Sequence, residues 1–268
     1  MKSRILVAVV GVPILLYIVL WGPEWLLAVA LAVLSGVGAY ELMNCVGAMK
    51  SSELLGYSTV CFATGTVLWG WAFPELLMLN LTVYCLLACA VTVWKAGEVR
   101  TVQLLAGIFG VVLIPYAFSS FFRINGLGGH RGYLLLPFIL SFACDTFAYF
   151  TGLTLGKHKL APKVSPKKTV EGSIGGLAGN VVCGLIFAFV MNRRFGGSIS
   201  YWPMVVLSLF CGVVAQVGDL SFSLIKREFG IKDYGKIFLA HGGVLDRFDS
   251  VLFVAPTLAA LMQILGIQ

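Results

Sequence analysis

Charged side chains are scarce in this chain: they make up 12% of its 268 residues, whereas hydrophobic residues make up 59%. Soluble domains carry about 25% charged residues, so the composition excludes an ordinary soluble domain and indicates an integral membrane protein. Acidic residues are the scarcer charge, with 12 Asp and Glu against 19 Lys and Arg. A basic excess is expected on the cytoplasmic side of a membrane protein, so the net charge of +7 does not indicate a nucleic-acid partner.

The sequence also lacks the cysteine spacing of a metal site and the cleavage site of a signal peptide. None of the seven cysteines belongs to a CxxC pair, and all lie in apolar runs, where free cysteine behaves as a small hydrophobic residue. We therefore predict neither a disulfide framework nor a zinc site. Residues 1–25 begin like a signal peptide, but no small-residue cleavage site follows. This segment is predicted to be a first membrane anchor.

Long apolar runs are abundant. A hydrocarbon core of about 30 Å requires about 20 helical residues. Nine runs approach or exceed this length, at 4–21, 25–48, 54–73, 75–95, 102–122, 132–153, 172–192, 201–225 and 248–266. We therefore predict an all-α polytopic membrane protein with about nine transmembrane helices. Very short loops between the second, third and fourth runs leave eight or ten spans open.

The basic residues predict the orientation of these spans. With the N-terminus in the cytoplasm, fifteen of the 19 basic residues lie inside and four outside, in accordance with the positive-inside rule. The chain then divides into N-terminal transmembrane helices (1–100), middle helices with a basic cytoplasmic loop (101–200) and C-terminal helices that carry the most charged stretch (201–268).

The first interruption of the apolar pattern is Asp145, in the cytoplasmic half of the sixth run. A carboxylate at membrane depth is costly unless it is paired or hydrated, so Asp145 is a candidate functional residue. The alternative is an aspartate that forms a structural hydrogen bond with a neighbouring helix.

The second interruption is the stretch KLAPKVSPKKTVEGSIGG, residues 159–176. Ser165 followed by Pro166 is typical of a helix N-cap with proline at the first helical position. Lys167, Lys168 and Thr169 would then surround a helix N-terminus, whose free N–H groups suit a phosphate. The alternative is that the lysines only flank a span and the glycines only allow close helix packing.

The third interruption combines two charged helix faces. Asp219, Ser223, Lys226 and Arg227 are spaced i, i+4, i+7, i+8, so they share one face of the eighth run. Asp246 and Asp249, spaced i, i+3, share a face at the start of the ninth run. Such oxygen donors beside cations suit Mg²⁺ bound jointly by carboxylates and the phosphates of a substrate. Ion pairs on a hydrated helix end are the alternative, but they do not explain Asp219, about two turns deeper.

Residues 223–249 match a known signature: Ser, an aliphatic residue, Lys-Arg, Lys-Asp with a small residue two further on, then His-Gly-Gly, an aliphatic residue, Asp-Arg, an apolar residue and Asp. Here these are Ser223, Ile225, Lys226, Arg227, Lys232, Asp233, Gly235, His241, Gly242, Gly243, Val244, Asp246, Arg247, Phe248 and Asp249. The chain thus resembles the phosphatidate cytidylyltransferase family, the CDP-diacylglycerol synthases. Leu239 departs from the family's usual Pro or Gly two residues before the His, which affects the expected loop shape. The stretches SPKKTVEGSIGG and CDTFAYFTG also resemble the family.

The resemblance implies transfer of a cytidylyl group from CTP to phosphatidic acid, giving CDP-diacylglycerol and pyrophosphate, at a bacterial inner membrane with the active site facing the cytoplasm. Asp219 and Asp246 are the leading Mg²⁺ ligands, with Asp249 as a third carboxylate. A second cation, monovalent or divalent, could share the cluster.

The remaining candidates are assigned to the substrates. Lys226, Arg227 and Arg247 are expected to neutralise phosphates. Lys167, Lys168 and Thr169 would approach the same phosphates from the other loop. Ser223 would donate a hydrogen bond, and His241 would act as a structural or hydrogen-bonding residue beside Gly242 and Gly243. Asp145 and Glu171 would bind metal or orient the lysines.

Two other functions remain open at the level of the sequence. A cation- or proton-coupled transporter would use the intramembrane carboxylates, but it predicts charges on both sides of the midplane. A CTP-dependent lipid kinase would require similar phosphate-binding residues. Small-residue faces on spans five to seven would allow a homodimer.

Overall fold

A computed structural model describes residues 11, 13–235 and 242–267 of the chain. It is almost entirely helical over these residues, which confirms the all-α prediction. The chain forms two compact units: residues 1–119 with 228–248, and residues 120–227 with 249–268.

The first unit contains the N-terminal helices and a short helix from the signature region. Its helices are α1 (Glu24–Cys45), α2 (Ala48–Ser51), α3 (Glu53–Ala72), a 3₁₀ turn (Pro74–Leu76), α4 (Leu77–Trp94), the residues of α5 (Thr101–Leu127) up to Ser119, and α9 (Leu245–Phe248). A buried bond of 2.8 Å between Thr59 Oγ1 and Tyr84 Oη joins α3 to α4. Gly107 on α5 has no side chain, and a Cβ at this position would overlap the Tyr84 hydroxyl.

The second unit contains the later helices and a hairpin. Its elements are a 3₁₀ turn (Arg131–Leu135), α6 (Leu136–Leu155), strands β1 (Lys159–Ala161) and β2 (Ser165–Thr169), α7 (Val170–Arg194), α8 (Tyr201–Glu228, up to Arg227) and α10 (Val251–Leu265). Helices α6 and α7 approach so closely that a Cβ on Gly176 would lie 2.8 Å from Cys144 O. A Cβ on Gly172 would lie 2.7 Å from Ala148 O. These glycines therefore allow the two helices to pack backbone against backbone.

Six helical segments among the described residues are long and apolar enough to cross a membrane. They are Glu24–Cys45, Pro74–Trp94, Thr101–Leu127, Arg131–Leu155, Val170–Arg194 and Tyr201–Glu228. The predicted run at 54–73 is also helical, and so are residues 13–20 of the run at 4–21, whose residues 4–10 and 12 lie outside the described residues. The count of nine spans and the cytoplasmic N-terminus stay predictions.

Two local predictions were wrong. The predicted run at 248–266 does form a helix over Val251–Leu265, but Asp246 and Asp249 do not share a helix face at its start. A turn at Asp249 and Ser250 separates α9, which contains Asp246, from α10, and Asp249 Oδ1 accepts the Ser250 N–H at 2.8 Å. Ser165 is not a helix N-cap: it pairs with Ala161 in the antiparallel hairpin of residues 159–169. Thr169 caps α7 instead, with its Oγ1 accepting the Gly172 N–H at 3.1 Å. Strand pairing thus replaces the extra helical turn, and a two-stranded edge tolerates a proline.

Candidate functional site

The second unit contains a cavity of about 500 Å³ between α6, α7, α8 and the hairpin. Its lining combines three lysines and two aspartates with apolar, small and polar residues: Asp145, Ala148, Tyr149, Gly152, Leu153, Lys159, Leu160, Lys167, Lys168, Thr169, Gly172, Ser173, Gln216 and Asp219. A cavity with convergent charges and an apolar wall can accept an amphiphilic phosphate ester.

Asp219 has a cationic partner from the hairpin. Lys168 Nζ forms an ion pair with Asp219 Oδ2, and the two side chains are 26% and 22% exposed. The hydroxyl of Ser223 donates to Asp219 Oδ1 at 3.2 Å, as the i, i+4 spacing predicts. The pair joins a hairpin lysine to the charged face of α8, so two sequence candidates that are 51 residues apart meet here.

Further carboxylates lie close to this pair. Asp145 lines the same cavity from α6. Asp249 is partly buried, and Asp145, Asp219 and the buried Lys226 are its electrostatic neighbours. The second unit therefore brings together five of the predicted charged residues around α8: Asp145, Lys168, Asp219, Lys226 and Asp249.

Arg227 reaches the hairpin from the end of α8. Its Nε donates to Val164 O, in the turn between the strands, at 3.4 Å. Glu171, at the start of α7, holds the other end of the hairpin: Oε2 accepts the N–H of Lys157 at 3.0 Å, and Oε1 lies 2.6 Å from Nδ1 of His158. Of the two roles predicted for Glu171, these contacts favour orienting the lysine-bearing hairpin.

Sequence reasoning missed a polar network in the lining of this cavity. Gln216 Nε2 donates to Ser173 O at 3.1 Å, and the Ser173 hydroxyl donates to Gln216 Oε1. Gln216 lies one turn before Asp219 on the same helix, and both line the cavity. A glutamine within an apolar run, three residues before a candidate aspartate, was the available signal.

The signature residues of the first unit form a turn that leads into the short helix α9; we call this segment, residues 242–248, the signature loop. Asp246 Oδ2 accepts the N–H of Tyr234 at 2.7 Å and that of Gly243 at 2.9 Å. Gly242 has a φ of +83°, a conformation that favours glycine. Arg247 is exposed, and His241 lies outside the described residues. Asp246 thus organises the backbone of the signature loop.

A second acidic residue that sequence reasoning missed contacts this loop. Glu41, on α1, is only 2% exposed. Its Oε1 accepts the N–H of Val244 at 3.0 Å, and its Oε2 accepts that of Leu245 at 2.9 Å. The signal was a glutamate inside the apolar run 25–48, which hydropathy alone treats as a tolerated exception.

The match to known proteins extends along the whole chain. A model of the family described as "Cytidylyltransferase family" matches residues 2–265. The chain belongs to this family. Curated relatives named phosphatidate cytidylyltransferase include those of Staphylococcus haemolyticus, 32% identical, and Staphylococcus saprophyticus, 31% identical, each over 98% of this chain and 99% of the relative. That of Staphylococcus aureus strain COL is 31% identical over the same shares.

These findings confirm the resemblance read from residues 223–249. They also extend it to the N-terminal helices, which the sequence motifs did not cover. Neither of the other functions, the transporter or the lipid kinase, is supported by this family match. The roles of the individual cytidylyltransferase residues stay predictions.

The oxygen donors of the second unit suit a magnesium ion in kind. Asp145, Asp219 and Asp249 supply carboxylates, and Asp219 already accepts a cationic partner in Lys168. Within the described ranges, no group of three or more His, Cys, Asp or Glu side chains is arranged to hold a metal ion. Mg²⁺ commonly takes one or two carboxylates, several waters and substrate phosphates, so the donors fit it as a partial site that a substrate completes.

Proposed function

We propose that this protein transfers the cytidylyl group of CTP to phosphatidic acid. A phosphate oxygen of the lipid forms a bond to the α-phosphorus of CTP, and the bond from that phosphorus to the bridging oxygen of the β-phosphate breaks. The products are CDP-diacylglycerol and pyrophosphate. The observation that carries the proposal is the cavity with Lys167, Lys168 and Asp219, in a chain whose relatives are named for this activity.

The composition of the cavity supports a lipid phosphate and a nucleotide as substrates. Tyr149 and Leu153 line it from α6 and are 65% and 70% exposed, so an apolar surface adjoins the charged groups. Lys167 and Lys168 supply positive charge on the hairpin side. Acyl chains can remain in the bilayer while the lysines contact phosphates. The positive-inside bias supports a site that faces the cytoplasm. The location in a bacterial inner membrane is a further part of the proposal and rests on the family resemblance.

The reaction needs positioning and charge neutralisation more than a general base. The second pKa of a phosphate monoester is about 6, so the attacking oxygen of phosphatidic acid is already ionised at neutral pH. Fixed cations beside the phosphates stabilise the charge that develops on the leaving pyrophosphate. We assign this role to Lys167 and Lys168, which line the cavity from the hairpin, and Lys226 and Arg227 would supply further charge from α8.

Asp219 and Asp249 would hold Mg²⁺, with Asp145 nearby and a second cation, monovalent or divalent, as a further proposal. A bound magnesium ion would supply charge neutralisation and alignment of phosphate oxygens. Ser223 orients the Asp219 carboxylate through their hydrogen bond. Asp246 supports the signature loop in the first unit, and its assignment as a ligand stays a prediction.

Radiolabelled CTP tests the proposal directly. The purified protein is incubated in detergent with phosphatidic acid, Mg²⁺ and CTP labelled on either the α- or the γ-phosphate. We expect the α-label to enter lipid and the γ-label to leave as pyrophosphate. Entry of the γ-label into lipid would identify a kinase and refute the proposal. The predicted homodimer is tested on the same sample by light scattering after size-exclusion chromatography.

A further inference from the structure

Glu41 is an acidic residue that has no part in the proposed reaction, although its side chain is almost completely buried. It lies in α1, within a helix long and apolar enough to cross a membrane, and its side chain is 2% exposed. A buried carboxylate is strongly destabilising unless hydrogen bonds compensate it. Hydrogen-bond donors near Glu41 must therefore compensate the cost of burying its carboxylate.

Those donors belong to the backbone of the signature loop. Glu41 Oε1 accepts the N–H of Val244 at 3.0 Å, and Oε2 accepts the N–H of Leu245 at 2.9 Å. The preceding N–H, from Gly243, donates to Asp246 at 2.9 Å. Three consecutive backbone N–H groups of the loop thus end on two carboxylates, one of which lies about 200 residues earlier in the chain.

Two glycines of the signature leave space for the carboxylate of Glu41. A Cβ added at Gly235 or at Gly243 would overlap Glu41 Oε1. Neither glycine has a positive φ, in contrast to Gly242 with its φ of +83°. Gly235 and Gly243 are therefore required for space, and the space that they leave is occupied by Glu41.

Apolar contacts hold the same segment independently. A Cβ on Gly38 of α1 would lie 3.2 Å from Leu245 Cδ2, so this helix passes directly beneath the loop. The rings of Phe118 and Phe248 meet edge to face, with centroids 5.7 Å apart. These contacts do not involve the carboxylate, so we expect the loop to stay packed against α1 in a Glu41 variant while its backbone loses orientation.

We propose that Glu41 is a positioning residue for the signature loop: its carboxylate fixes the backbone from which Asp246 and Arg247 project. The proposal rests on the proposed function, because it assigns the loop to the cytidylyl-transfer reaction. It links the glycines of the signature to a residue of α1 that the signature does not contain.

The test compares Glu41→Gln with Glu75→Gln, a matched change at an exposed glutamate. Glutamine keeps the shape but offers one acceptor oxygen in place of two. We expect kcat to fall about 10- to 100-fold, as after loss of a contact that supports an active-site ligand, while KM for CTP changes little. The melting temperature in detergent should match that of the control. Glu41→Asp, which keeps both oxygens, should recover part of kcat.

A double-mutant cycle probes the fit between Glu41 and the glycine. Gly243→Ala should abolish turnover in the wild-type background, but it should cost little more once Glu41→Ala has removed the overlapping carboxylate. Additive losses would overturn the proposal, as would an unchanged kcat in Glu41→Gln, a change confined to KM, or a melting temperature far below that of Glu75→Gln. Absence of cytidylyl transfer by the wild-type protein would instead refute the proposed function.

Discussion

Replacing Lys168 with methionine should weaken CTP binding. The loss should be smaller than the full energy of a lysine–phosphate contact, because Lys168 must first give up its ion pair with Asp219. A charge-assisted hydrogen bond to phosphate contributes about 1.5 to 3 kcal/mol. Lys168 must leave Asp219 to make that bond, and a partly exposed pair of this kind is worth about 1 kcal/mol. The difference, about 0.5 to 2 kcal/mol, corresponds to an increase of about 2- to 30-fold in KM for CTP.

The assay measures initial rates of lipid labelling from α-labelled CTP over a range of CTP and Mg²⁺ concentrations. Lys163→Met is the matched control, because Lys163 is an exposed residue of the same hairpin that does not line the cavity. We expect the control to retain its KM, and the Mg²⁺ requirement of Lys168→Met to change less than its KM for CTP. Equal effects of the two substitutions would show that only the overall charge of the hairpin matters and would refute the reasoning.

The remaining predictions concern α8 and the α6–α7 contact. Asp219→Asn should insert normally but lose nearly all turnover, since it removes a charge from a metal with few protein ligands; near-normal turnover at limiting Mg²⁺ would remove Asp219 from the ligand set. A cysteine at position 223, replacing Ser223 in a background without the seven native cysteines, should react with an impermeant thiol reagent from the cytoplasmic side, and CTP with Mg²⁺ should slow that reaction; labelling only from the opposite side would overturn the topology. Gly176→Ala should destabilise the protein by about 1 to 3 kcal/mol, because the new Cβ meets Cys144 O. A melting temperature equal to that of Gly126→Ala, whose Cβ meets open space, would contradict this.

Hydropathy predicted most helices because a membrane span needs a long apolar run whatever its tertiary neighbours. It could not predict the turn at Asp249 and Ser250, since an apolar composition continues on both sides of it. The hairpin was missed for a related reason. The Ser165–Pro166 pair is a local signal for a helix start, whereas pairing with Ala161 depends on a neighbouring strand.

In the candidate site too, contacts between residues close in sequence were predictable, whereas contacts between residues far apart in sequence were not. The spacing of Asp219 and Ser223 predicted their shared face, because helix geometry alone decides it. The sequence indicated Gly243 as part of a motif but not the reason for it. That reason is Glu41, about 200 residues away, and a contact of that separation leaves no trace in local periodicity.

The tethers of the hairpin have a consequence for the thermodynamics of substrate binding. Glu171 holds the two residues just before the hairpin, Arg227 donates to the carbonyl of Val164 in its turn, and Lys168 joins the hairpin to Asp219. Folding has therefore already removed much of the conformational freedom that a lysine-bearing loop would otherwise lose when it closes on a nucleotide. Preorganised sites bind with a smaller entropic cost than flexible ones. Titration calorimetry should accordingly show a less unfavourable entropy of CTP binding for the wild-type protein than for a variant in which Glu171 no longer anchors the hairpin.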